Sequence, residues 1–344
     1  MPETPIIAID AMGGDFGPEV TVAAAAKFLK NNNVNIILVG LEDRLNSEFK
    51  KLNLKASDRL SIQHASELVA MDESPSQALR KKKDSSMRVA INLVHEGKAH
   101  AAVSAGNTGA LMATAKFVLK TLPGIDRPAI MTTLPNTKAH THMLDLGANV
   151  DSSADHLFQF AVMGAVTASA VDNIENPRVG LLNVGSESMK GNAQVKAAEP
   201  LLQNSDLNYI GFVEGDDIYN GSVDVVVCDG FVGNVSLKSA EGVAKMITQF
   251  MREEFARNLL TKLIAVIAMP VLKSFKKRVD HRRYNGASLL GLKEIVIKSH
   301  GGADVYGFSR AIEVAKLEVE KSVPQNIASH LDALLDQSEP EKTA

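Results

Sequence analysis

The chain has no tryptophan, one cysteine and few aromatic residues, 5% of its 344 positions. So few rings leave no stacking platform for single-stranded nucleic acid, and no nucleic-acid partner is expected. The lone cysteine, Cys228, excludes an intramolecular disulfide framework and suits a reducing cytoplasm. Charge of one sign is lacking too. A net charge of −3 supplies no overall field toward polyanions or membranes, so any such attraction has to be local. No apolar run reaches the roughly 18 residues that span a bilayer. The opening MPETPIIAID has no basic segment leading into an apolar one, so no signal peptide is expected. The first strand is not followed by Gly-x-Gly-x-x-Gly, which weakens a Rossmann reading.

What is present is an ample apolar fraction, 45%, arranged in short β-rich runs that alternate with helical patterns. Strands are predicted at Ile6–Asp10, Asn35–Val39, Leu60–Gln63, Ala101–Ser104, Ala129–Leu134, Met143–Leu146, Val179–Val184, Tyr209–Phe212, Val223–Cys228 and Ile295–Lys298. Helices are predicted at Glu19–Leu29, Asn107–Leu119, Ser153–Val171, Ala193–Leu202, Val235–Arg257 and Arg310–Lys321. This alternation predicts a three-layer α/β/α fold with a mostly parallel sheet. One catalytic domain is expected over 1–336, with a helical apolar and basic protrusion at about 250–285 and a disordered tail at 337–344.

Five predicted strands end in glycine mixed with small polar residues. The first is Asp10-Ala-Met-Gly-Gly-Asp15-Phe-Gly-Pro18, where Gly13 and Gly14 let backbone N–H groups approach a ligand and Pro18 opens a helix. A helix start favours an anion, yet Asp10 and Asp15 flank it. The others are Ser104-Ala-Gly106-Asn107-Thr108-Gly109, Asp145-Leu-Gly-Ala-Asn149, Asn183-Val-Gly185-Ser-Glu187 and Cys228-Asp229-Gly-Phe-Val-Gly-Asn234. In open α/β sheets ligands bind beyond the carboxyl ends of strands, so the five loops are expected to share one crevice.

Within these loops Lys190 is the lysine that can neutralise a phosphate; its spacing to the preceding glycines is not that of a P-loop. The basic run Arg80–Lys83 leads into Ser85 and Ser86 at a helix start, a second place for an anion or simply a solvated helix end. His140 and His142 share a strand face, with Asp145 nearby, but no third histidine or cysteine stands at a usual spacing, and no metal is expected. Cys228 closes a valine-rich strand beside Asp229 and reads as a buried thiol rather than a nucleophile. The most apolar stretch, Leu259–Phe275, includes Leu259, Leu263, Ile264 and Ile267. It leads into Lys273, Lys276, Lys277, Arg278, Arg282 and Arg283, opposed only by Asp280. It suits a dimer helix, a membrane-surface contact or a dock for an acidic partner.

Taken in order, these motifs resemble the bacterial phosphate acyltransferase family, the acyl-carrier-protein:phosphate transacylases. Leu144–Asn149, Lys190-Gly191, Gly211-Phe-x-Glu-Gly-Asp216 and Ile295-Val-Ile-Lys-Ser-His-Gly301 complete the match, which covers Ile6 to about Lys321. Ser188 stands where relatives often have an acidic residue, and His140 and His142 are not hallmarks of the family. The resemblance implies a fold like the isocitrate and isopropylmalate dehydrogenases and the phosphotransacetylases. It implies that acyl carrier protein and inorganic phosphate are the reacting partners, with no cofactor. The acyl phosphate would feed a membrane glycerol-3-phosphate acyltransferase. A homodimer, cytoplasmic and loosely membrane-associated, is also implied.

The chemistry suits the residue types. A thiol of pKa about 8.5 leaves readily as thiolate, and phosphate is largely ionised at neutral pH, so little base strength is needed. Positioning and oxyanion stabilisation are what remain. Lys190 and the Ser104–Thr108 loop are expected to hold phosphate. Asn107, Asn183 or the backbone at Gly13 and Gly14 would meet the oxyanion, and Asp10, Asp15 and Asp229 would orient donors. An acyl-CoA phosphotransacylase, a decarboxylating dehydrogenase and a non-enzymatic membrane scaffold are the competing readings.

Overall fold

A computed structural model of the chain describes residues 4–338. Its centre is an eleven-stranded sheet. In chain order the strands are β1 Ile6–Asp10, β2 Asn35–Gly40, β3 Leu60–His64, β4 Ala101–Ser104, β5 Ala129–Pro135, β6 His140–Leu144, β7 Val179–Leu182, β8 Tyr209–Val213, β9 Val225–Val227, β10 Ala287–Leu290 and β11 Ile295–Lys298. The helices are α1 Pro18–Leu29, α2 Glu42–Lys51, α3 Pro75–Lys81, α4 Ser86–His95, α5 Thr108–Leu119, α6 Ala154–Asp172, α7 Ala193–Gln203, α8 Asp217–Asn220, α9 Gly230–Ala256, α10 Leu259–Val279, α11 Val305–Glu320 and α12 Val323–Ser338.

The spatial order is β3-β2-β1-β4-β11-β10-β5-β6-β9-β7-β8. Alternation along each strand feeds the two faces. Ala8, Ala102, Val226 and Val296 point into a core under α4 and α5. On the other face Ile7, Ile9, Val103 and Ile297 pack beneath α1 and α11, and Leu144, Leu181, Val225 and Val227 beneath α6, α7 and α12. The three-layer fold with a mostly parallel sheet is therefore present: seven of the ten strand pairings are parallel.

The three antiparallel pairings decide where the strand-end loops lie. β10 runs against both β11 and β5, and β5 runs against β6. The strands β3, β2, β1, β4 and β11 point one way; β6, β9, β7 and β8 point the other. Carboxyl ends of the two groups thus lie on opposite edges of one sheet. The five glycine-rich loops therefore leave the sheet at two opposite edges. Asp10–Pro18 and Ser104–Gly109 are on one edge, and the loops after β6, β7 and β9 are on the other. From β4 to β7 is six strand steps, about 29 Å at ordinary strand spacing.

Smaller differences from the sequence reading have local causes. β6 begins at His140 because His-Thr-His is a strand with polar residues on both faces. β10 was not anticipated, since Ala-Ser-Leu-Leu is too short to show a period. α12 ends at Ser338, so 337–338 are helical; 339–344 lie outside the described residues.

The protrusion is a hairpin of α9 and α10. α10 opens with a reciprocal cap: Asn258 Oδ1 accepts from Thr261 N at 3.0 Å, and Thr261 Oγ1 accepts from Asn258 N at 3.1 Å. Beyond its first turns the hairpin leaves the sheet, and Val243, Met246, Ile247 and Phe250 of α9 are exposed along with much of α10.

Candidate active site

The first cluster lies at the carboxyl ends of β1, β4 and β11. Asp10 is buried and tied on both oxygens. Oδ1 accepts from Ser86 Oγ at 2.6 Å and from Met12 N at 3.3 Å; Oδ2 accepts from Ser104 Oγ at 2.6 Å. Burial pushes the Asp10 carboxyl up, against the opposing pull of these bonds. Ser104 Oγ also accepts from Gly106 N at 3.0 Å, so the two loops are laced together. Glycine is required where they touch: a Cβ on Gly13 would lie 2.6 Å from Asp10 Oδ2 and 2.7 Å from Gly106 N. Gly14 has φ +86° and faces the Gly301 carbonyl, and Asp15 N donates to that same oxygen at 2.9 Å.

Lys298 closes β11 in the middle of this cluster. It is 9% exposed. Its Nζ donates to the carbonyl of Ala105 at 3.3 Å and to that of Ser299. Burial pulls its pKa down to about 8, with Asp10 and Asp15 opposing and Lys238 adding a little. α1, α5 and α11 begin after β1, β4 and β11, and Ser86 at the start of α4 reaches Asp10, so four positive helix ends belong to this edge of the sheet. The sequence reading placed Lys298 within the matching Ile295–Gly301 segment without assigning it a role. The available signal was a lysine ending a strand whose other residues are all buried.

Two residues expected nearby have other duties. Asn107 caps α5, accepting from Ala110 N at 3.0 Å, while its amide donates to Met71 and Glu73 carbonyls at 2.8 and 2.9 Å. Thr108 is the exposed first residue of α5. Ser85 caps α4, and Ser86 beside it reaches Asp10.

The second cluster, on the opposite edge, holds Asp145, Asn149, Asn183, Gly185, Lys190, Asp229 and Asn234. Asp145 is fully buried and organises it, accepting from Ile130 N at 2.8 Å, Ala148 N at 3.1 Å and Asn149 N at 2.6 Å. Asn149 Nδ2 donates to the Pro128 carbonyl at 2.9 Å. Asp229 caps α9 through Val232 N at 2.9 Å and accepts from Gln194 Nε2 at 3.1 Å. Asn183 Nδ2 donates to the Lys190 carbonyl at 3.2 Å, which shapes the loop through Gly185. Lys190 Nζ is half exposed and 3.6 Å from Glu187. Asn234 packs beside Gly147. Cys228 is buried, and burial with the neighbouring Asp229 and Asp145 carboxylates pushes its thiol well up, so it is a poor nucleophile.

α9 begins hard against this cluster. A Cβ on Gly233 would fall 1.9 Å from the Asp145 carbonyl oxygen and 3.0 Å from Cys228 Sγ. Gly233→Ala is therefore expected to cost about 3 kcal/mol in urea unfolding, because backbone rather than a flexible side chain must give way. Two turns later α9 carries Lys238 close enough to repel Lys298 of the first cluster.

On the hairpin, Leu259, Leu263, Ile264 and Ile267 are exposed, Leu259 by 85%. Lys273, Lys277 and Arg278 are exposed as well; the Lys276 side chain lies outside the described residues. Arg282 is taken up by Asp280 and Asp304 at 2.6 and 2.7 Å, and Arg283 donates to the Lys277 carbonyl at 2.9 Å, so the free basic patch is narrower than the sequence suggested. Among the described residues, no helix is long and apolar enough to cross a membrane.

Comparison with known proteins agrees with this architecture. The family model described as fatty acid synthesis protein matches residues 6–326. A phosphate acyltransferase of Nitrosococcus oceani is 61% identical over 97% of this chain and 98% of its own length. One from Legionella pneumophila strain Paris is 56% identical over 96% and 97%. Among solved structures, a phosphotransacetylase from Streptococcus pyogenes aligns over 93% of this chain and 95% of its own at TM-score 0.61 and 19% identity, a likeness of fold. With a family model spanning nearly its whole length and relatives this similar, the chain belongs to the fatty acid synthesis protein family, whose curated members here are named phosphate acyltransferases.

Proposed function

We propose that the chain transfers an acyl group from the thioester of an acyl-[acyl carrier protein] to inorganic phosphate. A phosphate oxygen attacks the thioester carbonyl, the C–S bond breaks, and the thiolate leaves and takes a proton. The products are acyl phosphate and free carrier protein, the former a precursor for phospholipid synthesis. The observation that carries this reading is Lys298, a buried cation at the sheet edge where glycine loops lead into helix starts, an arrangement suited to an oxyanion. The buried, proton-retaining Cys228 favours direct attack over an acyl-enzyme.

Asp10, Gly13, Gly14, Asp15, Ser104 and Gly106 form the phosphate side of this site around Lys298. The second cluster, with Asn183, Lys190 and Asp229, follows strands that run the other way and leaves the opposite edge of the sheet. We assign it to a neighbouring copy: a homodimer brings the Lys190 loop of one protomer to the Lys298 edge of the other. The exposed apolar faces of α9 and α10 supply surface for such pairing and for contact with a membrane.

The deciding experiment is phosphate-dependent release of carrier thiol from acyl carrier protein, with acyl phosphate trapped by hydroxylamine. Thiol release that needs phosphate supports the reading; none with any donor overturns it. Turnover with acyl-CoA alone favours the phosphotransacylase alternative. The basic patch is assigned to the acidic carrier protein. Charge reversal at Lys277 and Arg278 is expected to raise KM for the carrier-bound donor about tenfold while leaving KM for acyl-CoA within about twofold. An equal rise for both donors would remove the docking role.

A further inference from the structure

His140, His142 and Asp172 direct their ligand atoms at one point, away from both clusters. The three atoms lie within 4.8 Å of one another. His140 Nε2 and His142 Nε2 stand 2.9 and 2.5 Å from the same oxygen, Asp172 Oδ2. The histidines alternate on β6 and so share a face; the carboxylate arrives from the last residue of α6, thirty positions beyond His142. That separation hid the third ligand from a search by spacing, which looked instead to Asp145, a residue fully occupied with backbone N–H groups.

We propose that this His-x-His…Asp set is a site for a divalent transition metal of zinc type, fastening the end of α6 to the start of β6. Bonds of about 2.0–2.2 Å from N and O ligands to one ion put the ligand atoms somewhat over 3 Å apart, so side-chain shifts of under about 1 Å open the cluster around a metal. The orientation is set in advance. Thr133, opposite His142 across the β5–β6 pairing, places its Oγ1 3.2 Å from His142 Nδ1, the outer contact that aims Nε2 inward. Asp172 is held by the helix end: Asn173 after it adopts a left-handed conformation and accepts from Lys321 Nζ at 2.8 Å. The carboxyl terminus of a 19-residue helix favours a cation at this position. The adjacent Asp224 is engaged with Arg178 at 2.8 and 2.9 Å and is not counted as a ligand. His142 is 4% exposed but His140 is 31% exposed, leaving an open side for metal entry and a water in the fourth position.

The alternative is a metal-free clamp in which one carboxylate accepts from two imidazoles. That contact already holds Asp172 well below the usual carboxylate range, despite burial, and raises His140. The test separates the two. The full chain, without an added histidine tag, is stripped with chelator and titrated with Co2+ or Zn2+. Expected are one equivalent of micromolar affinity, a tetrahedral Co2+ absorption band, and a Tm that climbs with metal concentration. His140→Gln, at the exposed edge, is expected to weaken affinity at least about tenfold with an unchanged far-UV spectrum. No binding in the micromolar range, or equal affinity in wild type and His140→Gln, overturns the proposal. Asp172→Asn is expected to lose the tetrahedral band, and should it fail to fold, His140→Gln alone decides.

Discussion

Lys298→Met is expected to lower phosphate-dependent acyl transfer by about a hundred- to a thousand-fold, the scale seen when one preorganised donor to a developing oxyanion is lost. The loss should fall mainly on kcat/KM for phosphate. The same residue makes a pH prediction. Its pKa sits at about 8 in the folded chain against an ordinary 10.5, because burial penalises the charge. Between those values the unfolded chain still holds a proton that the folded chain has released, so Lys298's contribution makes stability rise with pH through this window. Phosphate binding should do the opposite, weakening above about pH 8 as the cation is lost. Wild type is thus expected to gain thermal stability while losing phosphate affinity, and Lys298→Met to show neither slope. Phosphate kinetics unchanged in Lys298→Met would move the phosphate elsewhere.

Mixing that variant with Lys190→Ala is the second large effect. Each alone is expected to be nearly inactive. Co-refolded at equal amounts, half of the dimers carry one chain of each kind. Each such dimer has one site with both lysines intact, so about a quarter of wild-type activity should return. If Lys190 and Lys298 serve one site within a single chain, every site in the mixture lacks one of them and nothing returns. If Lys190→Ala is itself fully active, Lys190 leaves the site altogether.

The same two lysines show what sequence can and cannot carry. The glycine-rich strand ends were legible one at a time, because a turn and a helix start leave local marks. Their partition between two edges was not, since strand direction depends on β10, four residues with no readable period, and on β5 turning back into β6. Lys190 was visible because it stands in a loop. Lys298 went unassigned because it ends a buried strand, where its value comes from neighbours at Asp10, Asp15 and Ala105, far off in the chain. Asn107 was legible as a cap, yet its grip on Met71 and Glu73 depends on a loop thirty-odd residues earlier. Family resemblance suggests the reaction; the proposed division of roles among the residues rests on neighbours brought together in three dimensions.

The α9–α10 hairpin departs after β9 and returns before β10, and beyond its first turns it adds no strand to the sheet. In topological terms it is a long loop that happens to be helical. Its two arms can gain or lose matched pairs of turns without disturbing any strand register, since loop length weighs only logarithmically on folding. The reach of this arm is thus a quantity that evolution or an engineer can adjust almost independently of the strand register. Versions of this chain differing only there would hold whatever the arm contacts at a different distance from the sheet.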